Sequence, residues 1–95
     1  MLEIGTIVYL KKGNQKLMII SRGGVVKKGN TNIIYDYSAC LYPTGYIAEQ
    51  IYYFNEENVD CILHRGLYDE DEKRFQDLYK DWVEKAGSSL IKGRV

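Results

Sequence analysis

Residues 24–31 (GVVKKGNT) have the glycine spacing of a phosphate-binding P-loop. In that motif a lysine after the second glycine reaches the β- and γ-phosphates, and the loop opens a helix whose amides cradle phosphate. Here Asn30 stands at the lysine position, and the residues that follow are typical of a β-strand rather than of a helix. We therefore interpret the segment as an ordinary basic loop that binds no nucleotide.

Metal or nucleophile chemistry would have to use His64, Cys40 and Cys61, the one histidine and the two cysteines of the chain. Their spacing fits no familiar zinc pattern, and positions 61 and 64 of a strand point to opposite faces. The same geometry argues against a Cys–His nucleophilic pair. We expect two free, buried thiols, and we predict no metal, cofactor or catalytic residue.

Acidic residues are frequent in the second half of the chain, but an acid–base pair would need a cleft that shifts their pKa values. Four of them are consecutive, which is typical of the solvated start of a helix. The acidic residues considered are Glu56, Glu57, Asp60 and residues 69–72. The sequence therefore favours a binding protein over an enzyme.

Nine tyrosines, against two phenylalanines and one tryptophan, make an unusual aromatic composition. A tyrosine packs an apolar ring while its hydroxyl stays hydrated, which suits a half-buried surface that meets a partner. Five tyrosines flank the expected turns and strand ends: Tyr42, Tyr46, Tyr52, Tyr53 and Tyr68. They are the candidate partner-binding residues; the alternative is that they are core and ordinary surface rings.

The charges are unevenly distributed, although they balance overall. Residues 1–35 carry a net charge of +5, residues 36–72 a net charge of −8 and residues 73–95 a net charge of +3. A basic loop beside aromatic rings would suit RNA binding by a small barrel, but the acidic middle segment opposes phosphate binding. A nucleic-acid-binding module is therefore the alternative function, and it is disfavoured.

Short β-type runs fill residues 4–64. Residues 4–10 and 17–20 predict a hairpin, and residues 22–32 predict an exposed, mobile loop. Residues 33–42 alternate, with Tyr35, Tyr37, Ala39 and Leu41 on the expected core face. After a Pro–Thr–Gly turn, residues 47–54 resume the strand pattern. Residues 55–58 form a polar turn or a single helical turn, and residues 59–64 are the fifth strand.

A helix is predicted over residues 70–86, because apolar residues recur there at three- and four-residue spacing. That stripe, which we expect to be buried, consists of Phe75, Leu78, Tyr79, Trp82, Val83 and Ala86. Asp69 should cap the helix in a capping box with Glu72, and Gly87 should end it.

The fold class is mainly β (α+β): a small SH3-like or partly open five-stranded antiparallel barrel followed by one amphipathic helix. A flat antiparallel sheet with the helix on one face is the alternative.

One domain is expected over residues 1–87, with a flexible tail over residues 88–95, because two domains would each be too small for a stable core. The amino-terminal residues lack the basic and long apolar regions of a signal peptide, and no apolar run is long enough to span a bilayer. We therefore expect a cytoplasmic protein without a membrane partner.

The order of segments resembles a family in Gram-positive bacteria, the domain of unknown function numbered 4176. The resemblance covers about residues 4–80 and rests on the residues IGTIV with Leu10 and Lys11, LMII, YDY, LYPTG, YFN and Tyr68 before the acidic run. The family is associated with type VII secretion and LXG toxins. The resemblance implies a cytosolic adaptor or chaperone that binds an LXG-class protein from a neighbouring gene before export. It implies no catalytic residues, and whether the chain forms a homodimer stays open.

Overall fold

Five antiparallel strands form the larger sheet of the computed structural model, which describes residues 1–95 except for the side chain of Ser88. Their bounds are β1 Ile7–Leu10, β2 Leu17–Arg22, β5 Tyr37–Leu41, β6 Tyr52–Phe54 and β7 Val59–His64. The order across the sheet is β6-β5-β2-β1-β7. The hairpin expected near the amino terminus is confirmed, since Ile7 pairs with Met18 and Val8 with Leu17.

A second sheet of three strands contains β3 Val25–Lys28, β4 Thr31–Ile34 and β8 Ile91–Lys92, in the order β3-β4-β8. The prediction of a mobile loop over residues 22–32 is therefore wrong. β-Branched residues at 25 and 26 pair with Ile34 and Ile33, and Gly29, with φ 59°, starts the two-residue turn between the strands. A glycine at the first central position suits this kind of hairpin turn because it accepts positive φ.

The strand expected over residues 33–42 is divided between the two sheets. β4 ends at Ile34, β5 begins at Tyr37, and the chain changes sheet at Asp36. The Asp36 amide donates to the Asn55 side chain at 3.0 Å, and its carboxylate accepts from the Glu56 amide at 2.8 Å. These bonds to residues distant in the sequence replace the sheet hydrogen bonds that a continuous strand would have made.

The core lies on one side of the larger sheet and consists of Leu2, Val8, Leu17, Ile19, Tyr37, Ala39 and Phe54. Tyr37 and Ala39 occupy the core as their alternation predicted, whereas Tyr35 and Leu41 are only half-buried. Ser38 and Cys40, on the opposite face of β5, are also buried. The fold class, mainly β with a carboxy-terminal helix, is confirmed. However, eight strands in two sheets replace the five expected, and the sheets do not close into a barrel.

The helix α1 spans Glu70–Ala86, as its periodicity predicted. Asp69 caps it by accepting from the Glu72 amide at 2.9 Å, and Gly87 ends it with φ 52°. The reciprocal half of the capping box is replaced, because the Glu72 carboxylate pairs with Arg22 instead.

The prediction that the apolar stripe of α1 is buried is wrong. Phe75, Leu78, Trp82 and Val83 are exposed, and Tyr79 is only half-buried. The reason lies in the larger sheet, whose core is already filled by its own strands and by the amino-terminal residues. The helix therefore lies beside that core instead of completing it.

Residues 88–95, which were expected to form a flexible tail, contribute the short strand β8, parallel to β4. The Gly93 amide donates to the Ile34 carbonyl at 2.7 Å, and the Gly93 carbonyl accepts from the Asn55 side chain at 2.7 Å. Lys92 pairs with Asp36 at 3.1 Å. Within the described part of the chain, no helix combines the length and apolar composition that crossing a bilayer requires.

Candidate functional site

The five tyrosines proposed to bind a partner are all exposed, with exposed fractions between 37% for Tyr52 and 68% for Tyr46. A different tyrosine, Tyr37, has the core position. When a partner covers an exposed ring, apolar surface is removed from water, which favours binding. A tyrosine that anchors a partner must therefore be exposed in the free protein. Whether a partner covers these rings stays a prediction.

Four of these tyrosines belong to one supersecondary unit, the pair β5–β6 and its connection. Tyr42 and Tyr46 lie in the connection, where the Gly45 amide donates to the Leu41 carbonyl at 2.8 Å and closes the turn. Tyr52 and Tyr53 lie on β6, an edge of the larger sheet. Successive side chains of a strand point to opposite faces, so these two rings look in different directions.

Tyr53 is partly engaged within the chain, because its ring contacts that of Tyr35 with a centroid separation of 5.5 Å. Tyr68 lies apart from the other four, since it follows β7 at the opposite edge of the sheet. The structure therefore places Tyr42, Tyr46, Tyr52 and Tyr53 on one supersecondary unit, where they face in more than one direction, and leaves Tyr68 at a separate place. We call these four residues the β5–β6 tyrosines.

The edge strand β7 offers a second apolar surface. It pairs with β1, and its side chains Ile62 and Leu63 are 43% and 46% exposed. The register of that pairing shifts twice, so that Leu63 and Asp60 have no partner residue on β1. Each shift is a β-bulge in β7. Bulges interrupt the regular row of backbone donors and acceptors along an edge. The β7 edge is therefore better suited to side-chain anchoring than to pairing with a long added strand.

The exposed face of α1 is the surface that sequence reasoning missed. Phe75, Leu78 and Trp82 lie along one flank of the helix, and Ile4 and Leu67 continue the apolar surface beyond its first turn. Periodicity predicts the stripe, but the structure leaves these side chains on the surface and not in the core. The exposed apolar side chains make this flank of α1 a candidate interaction surface.

Arg22 at the end of β2 holds this face in position. Its guanidinium donates to both oxygens of Glu72, with 2.8 Å between Nη2 and Oε1, and it lies 4.2 Å from the centre of the Phe75 ring. The hydrogen bonds from Arg22 lower the pKa of the Glu72 carboxyl. The helix is thus attached to the sheet by a buried charge pair and a cation–π contact.

On the other flank of α1, a cleft of about 610 Å³ separates the helix from the smaller sheet. Apolar lining residues include Met1, Ile34, Val83 and Leu90. Between the two flanks, Tyr79 faces the body of the protein, close to Gly23. The helix therefore covers the smaller sheet only in part.

Two further ionisable groups in the body of the protein, Tyr37 and Glu3, are held by hydrogen-bond partners. The hydroxyl of Tyr37 donates to Glu56 and accepts from the Leu2 amide at 2.7 Å, and burial raises the pKa of this tyrosine well above its usual range. Hydrogen bonds from Arg65 lower the pKa of Glu3 to about 2. Groups held in this way stabilise the fold and are not poised as acids or bases.

The structure separates the residues considered for metal or nucleophile chemistry. Cys40 pairs with Met18, Met18 pairs with Ile7, and Ile7 pairs with His64 on successive strands. Cys40 and His64 are therefore three strand spacings apart, about 14 Å. Cys40 is buried, but Cys61 on the edge strand β7 is exposed, so the prediction of two buried thiols is wrong for Cys61. Over the described residues, no group of three or more His, Cys, Asp or Glu could hold a metal ion.

The P-loop-like segment forms the β3–β4 hairpin, and its second glycine opens a strand turn instead of a helix. Of the carboxylates, Asp69 caps α1 and Glu57 pairs with Lys92 at 3.5 Å. These positions give the acidic residues structural partners and place Glu70 and Asp71 in solvent, as expected for a helix start.

Comparison with models of protein families finds a match over residues 1–75 to a domain of unknown function, DUF4176. The matched part includes the larger sheet, the β3–β4 hairpin and the first turns of α1. No curated protein and no solved structure matches the chain.

Proposed function

The chain belongs to the DUF4176 family of domains of unknown function, and we propose that it is a cytosolic adaptor or chaperone that binds an LXG-class protein before type VII secretion. The observation that carries the proposal is the exposure of the four β5–β6 tyrosines. The proposed function is binding, and it needs no catalytic group. The family resemblance supplies the class of partner.

Tyrosine rings suit a protein that covers another. A tyrosine has few rotatable bonds, so fixing its ring at an interface loses little entropy, and the hydroxyl keeps a hydrogen bond to water or to the partner. A helical export substrate presents apolar stripes that need to be covered before transit. The β5–β6 tyrosines and the exposed side chains of β7 provide apolar area for this contact.

The energetics of such a contact differ from those of nucleic-acid binding. Apolar burial depends little on salt, whereas phosphate binding weakens steeply as salt is added. The exposed Lys27 and Lys28 of the β3–β4 hairpin would be the contacts for a nucleic acid. A salt series therefore separates the proposed function from its alternative.

The test is co-expression with the LXG gene product encoded next to this chain, followed by a pull-down at low and at high salt. We expect a complex that persists at high salt and that is weakened by Tyr46→Ala and by Tyr52→Ala. Tyr46→Phe, which keeps the ring, and the double variant Lys27→Ala/Lys28→Ala should retain it. Failure to form a complex under any condition would contradict the proposal, and an RNA complex that salt dissolves would favour the alternative.

A further inference from the structure

We infer that the exposed flank of α1 pairs with the same flank of a second copy of this chain, in an antiparallel helix pair about a two-fold axis. The inference begins from a row of five residues at four- and three-residue spacing: Asp71, Phe75, Leu78, Trp82 and Lys85. This spacing is the seam of a coiled coil, in which every member lies on one side of the helix. We call these five residues the seam.

The apolar members of the seam are free to be covered. Phe75 is 38% exposed, Leu78 61% and Trp82 44%. Such large apolar side chains in a continuous row destabilise a monomer in water relative to a state in which a second surface covers them. Ile4 and Leu67, which line the same groove as Phe75, enlarge the area available to a second molecule.

The charges of the seam identify the second molecule as another copy. The seam begins with an acid, Asp71, and ends with a base, Lys85, and Leu78 lies midway between them. If two copies meet antiparallel about Leu78, Asp71 of each faces Lys85 of the other and Phe75 faces Trp82. A parallel pair would instead place Asp71 beside Asp71 and Lys85 beside Lys85, which is unfavourable.

A second set of charges beside the seam obeys the same symmetry. Arg74 precedes Phe75 and Asp81 precedes Trp82, so both charged residues lie on the same side of the seam. In the antiparallel arrangement about Leu78, Arg74 of one copy lies near Asp81 of the other. All four charged residues are exposed, and in the described part of the chain none of them forms an ion pair. A surface that is self-complementary under a two-fold rotation is what a symmetric dimer requires.

The experiment is sedimentation equilibrium of the full chain over a range of concentrations, with circular dichroism to verify the helix in each variant. We expect the mass to rise from 11.0 kDa toward twice that value. The variants Asp71→Lys and Lys85→Asp should each weaken self-association by about tenfold or more, because each places like charges across the interface twice. Leu78→Asp should abolish it.

The decisive measurement is an equimolar mixture of Asp71→Lys with Lys85→Asp, in which every facing pair is again of opposite charge. We expect the mixture to associate as the unmodified chain does. Lys80→Asp reverses an exposed charge on the side of α1 opposite the seam and is the matched control, which should leave the dimer unchanged. A chain that stays monomeric, a dimer indifferent to the single reversals, or a mixture that fails to associate would overturn the inference.

Discussion

Arg22 and Glu72 form a bidentate ion pair that joins β2 to the first turn of α1, and both side chains are nearly inaccessible, at 5% and 9% exposure. A buried charge is stable only while its partner is present. The pair joins the first turn of α1 to the end of β2, while Leu78 and Trp82, further along the helix, lie in solvent.

Glu72→Gln, which keeps the shape of the side chain and removes its charge, should destabilise the protein by about 3–5 kcal/mol, because it leaves the Arg22 guanidinium buried without a counter-charge. The measurement is equilibrium unfolding in urea. Asp77→Asn is the control, since its pair with Lys73 is exposed and should contribute less than about 1 kcal/mol. Equal effects of the two variants would show that the Arg22–Glu72 pair does not anchor the helix.

Stability should fall in acid through the buried carboxyl of Glu3. The hydrogen bonds from Arg65 lower its pKa from 4.5 to about 2. A carboxyl group whose pKa is lower in the folded state than in the unfolded state stabilises the fold at pH values above the unfolded pKa. For Glu3 this contribution is lost as the pH falls from about 4.5 toward 2. Urea unfolding at several pH values should therefore give a shallower pH dependence for Glu3→Gln than for the unmodified chain. Identical slopes would contradict the assignment.

Trp82→Ala should change the stability of the monomer by about 1 kcal/mol or less, because the tryptophan is exposed on the flank of α1. Phe54→Ala, at a core position with 0% exposure, should cost about 3–5 kcal/mol. Both are measured by chemical denaturation at a protein concentration low enough to keep the chain monomeric. A loss of several kcal/mol for Trp82→Ala would mean that the helix flank is buried within one chain.

Gly23→Ala should destabilise the fold by roughly 1–3 kcal/mol, since the position has positive φ and a Cβ atom would lie 2.4 Å from the Tyr79 ring. Repeating the substitution in a Tyr79→Ala background isolates the two causes. Removal of the ring should relieve the steric part and leave the backbone strain, so thermal denaturation should show a smaller loss there. The same loss in both backgrounds would place Tyr79 away from Gly23.

Local patterns predicted much of the secondary structure. The bounds of α1, its Asp69 cap, its end at Gly87 and the strand β7 follow from periodicity and capping, which depend on residues only a few positions apart. The β3–β4 hairpin was also signalled locally, by Gly29 between two β-type runs, but the basic residues around it favoured the interpretation as a loop.

The break at Asp36 could not be predicted from its neighbours. It depends on Asn55 and Glu56, about twenty positions away, whose bonds to Asp36 exist only after β6 has joined the sheet. Likewise, the exposure of the β5–β6 tyrosines could not be predicted from residue type, because Tyr37 and Tyr46 are chemically identical and only packing places one in the core and the other in solvent.

The sequence alone determined that this chain is mainly β, that it has one amphipathic helix and that its polar residues offer no familiar catalytic pattern, because composition and short-range spacing are sufficient for each of these. Only the tertiary structure decided whether the apolar stripe of the helix is buried within the chain. Periodicity shows that an apolar stripe is stabilised by burial, but it does not say against what; here the larger sheet fills its core with Leu2, Tyr37 and Phe54, so the stripe of α1 faces water.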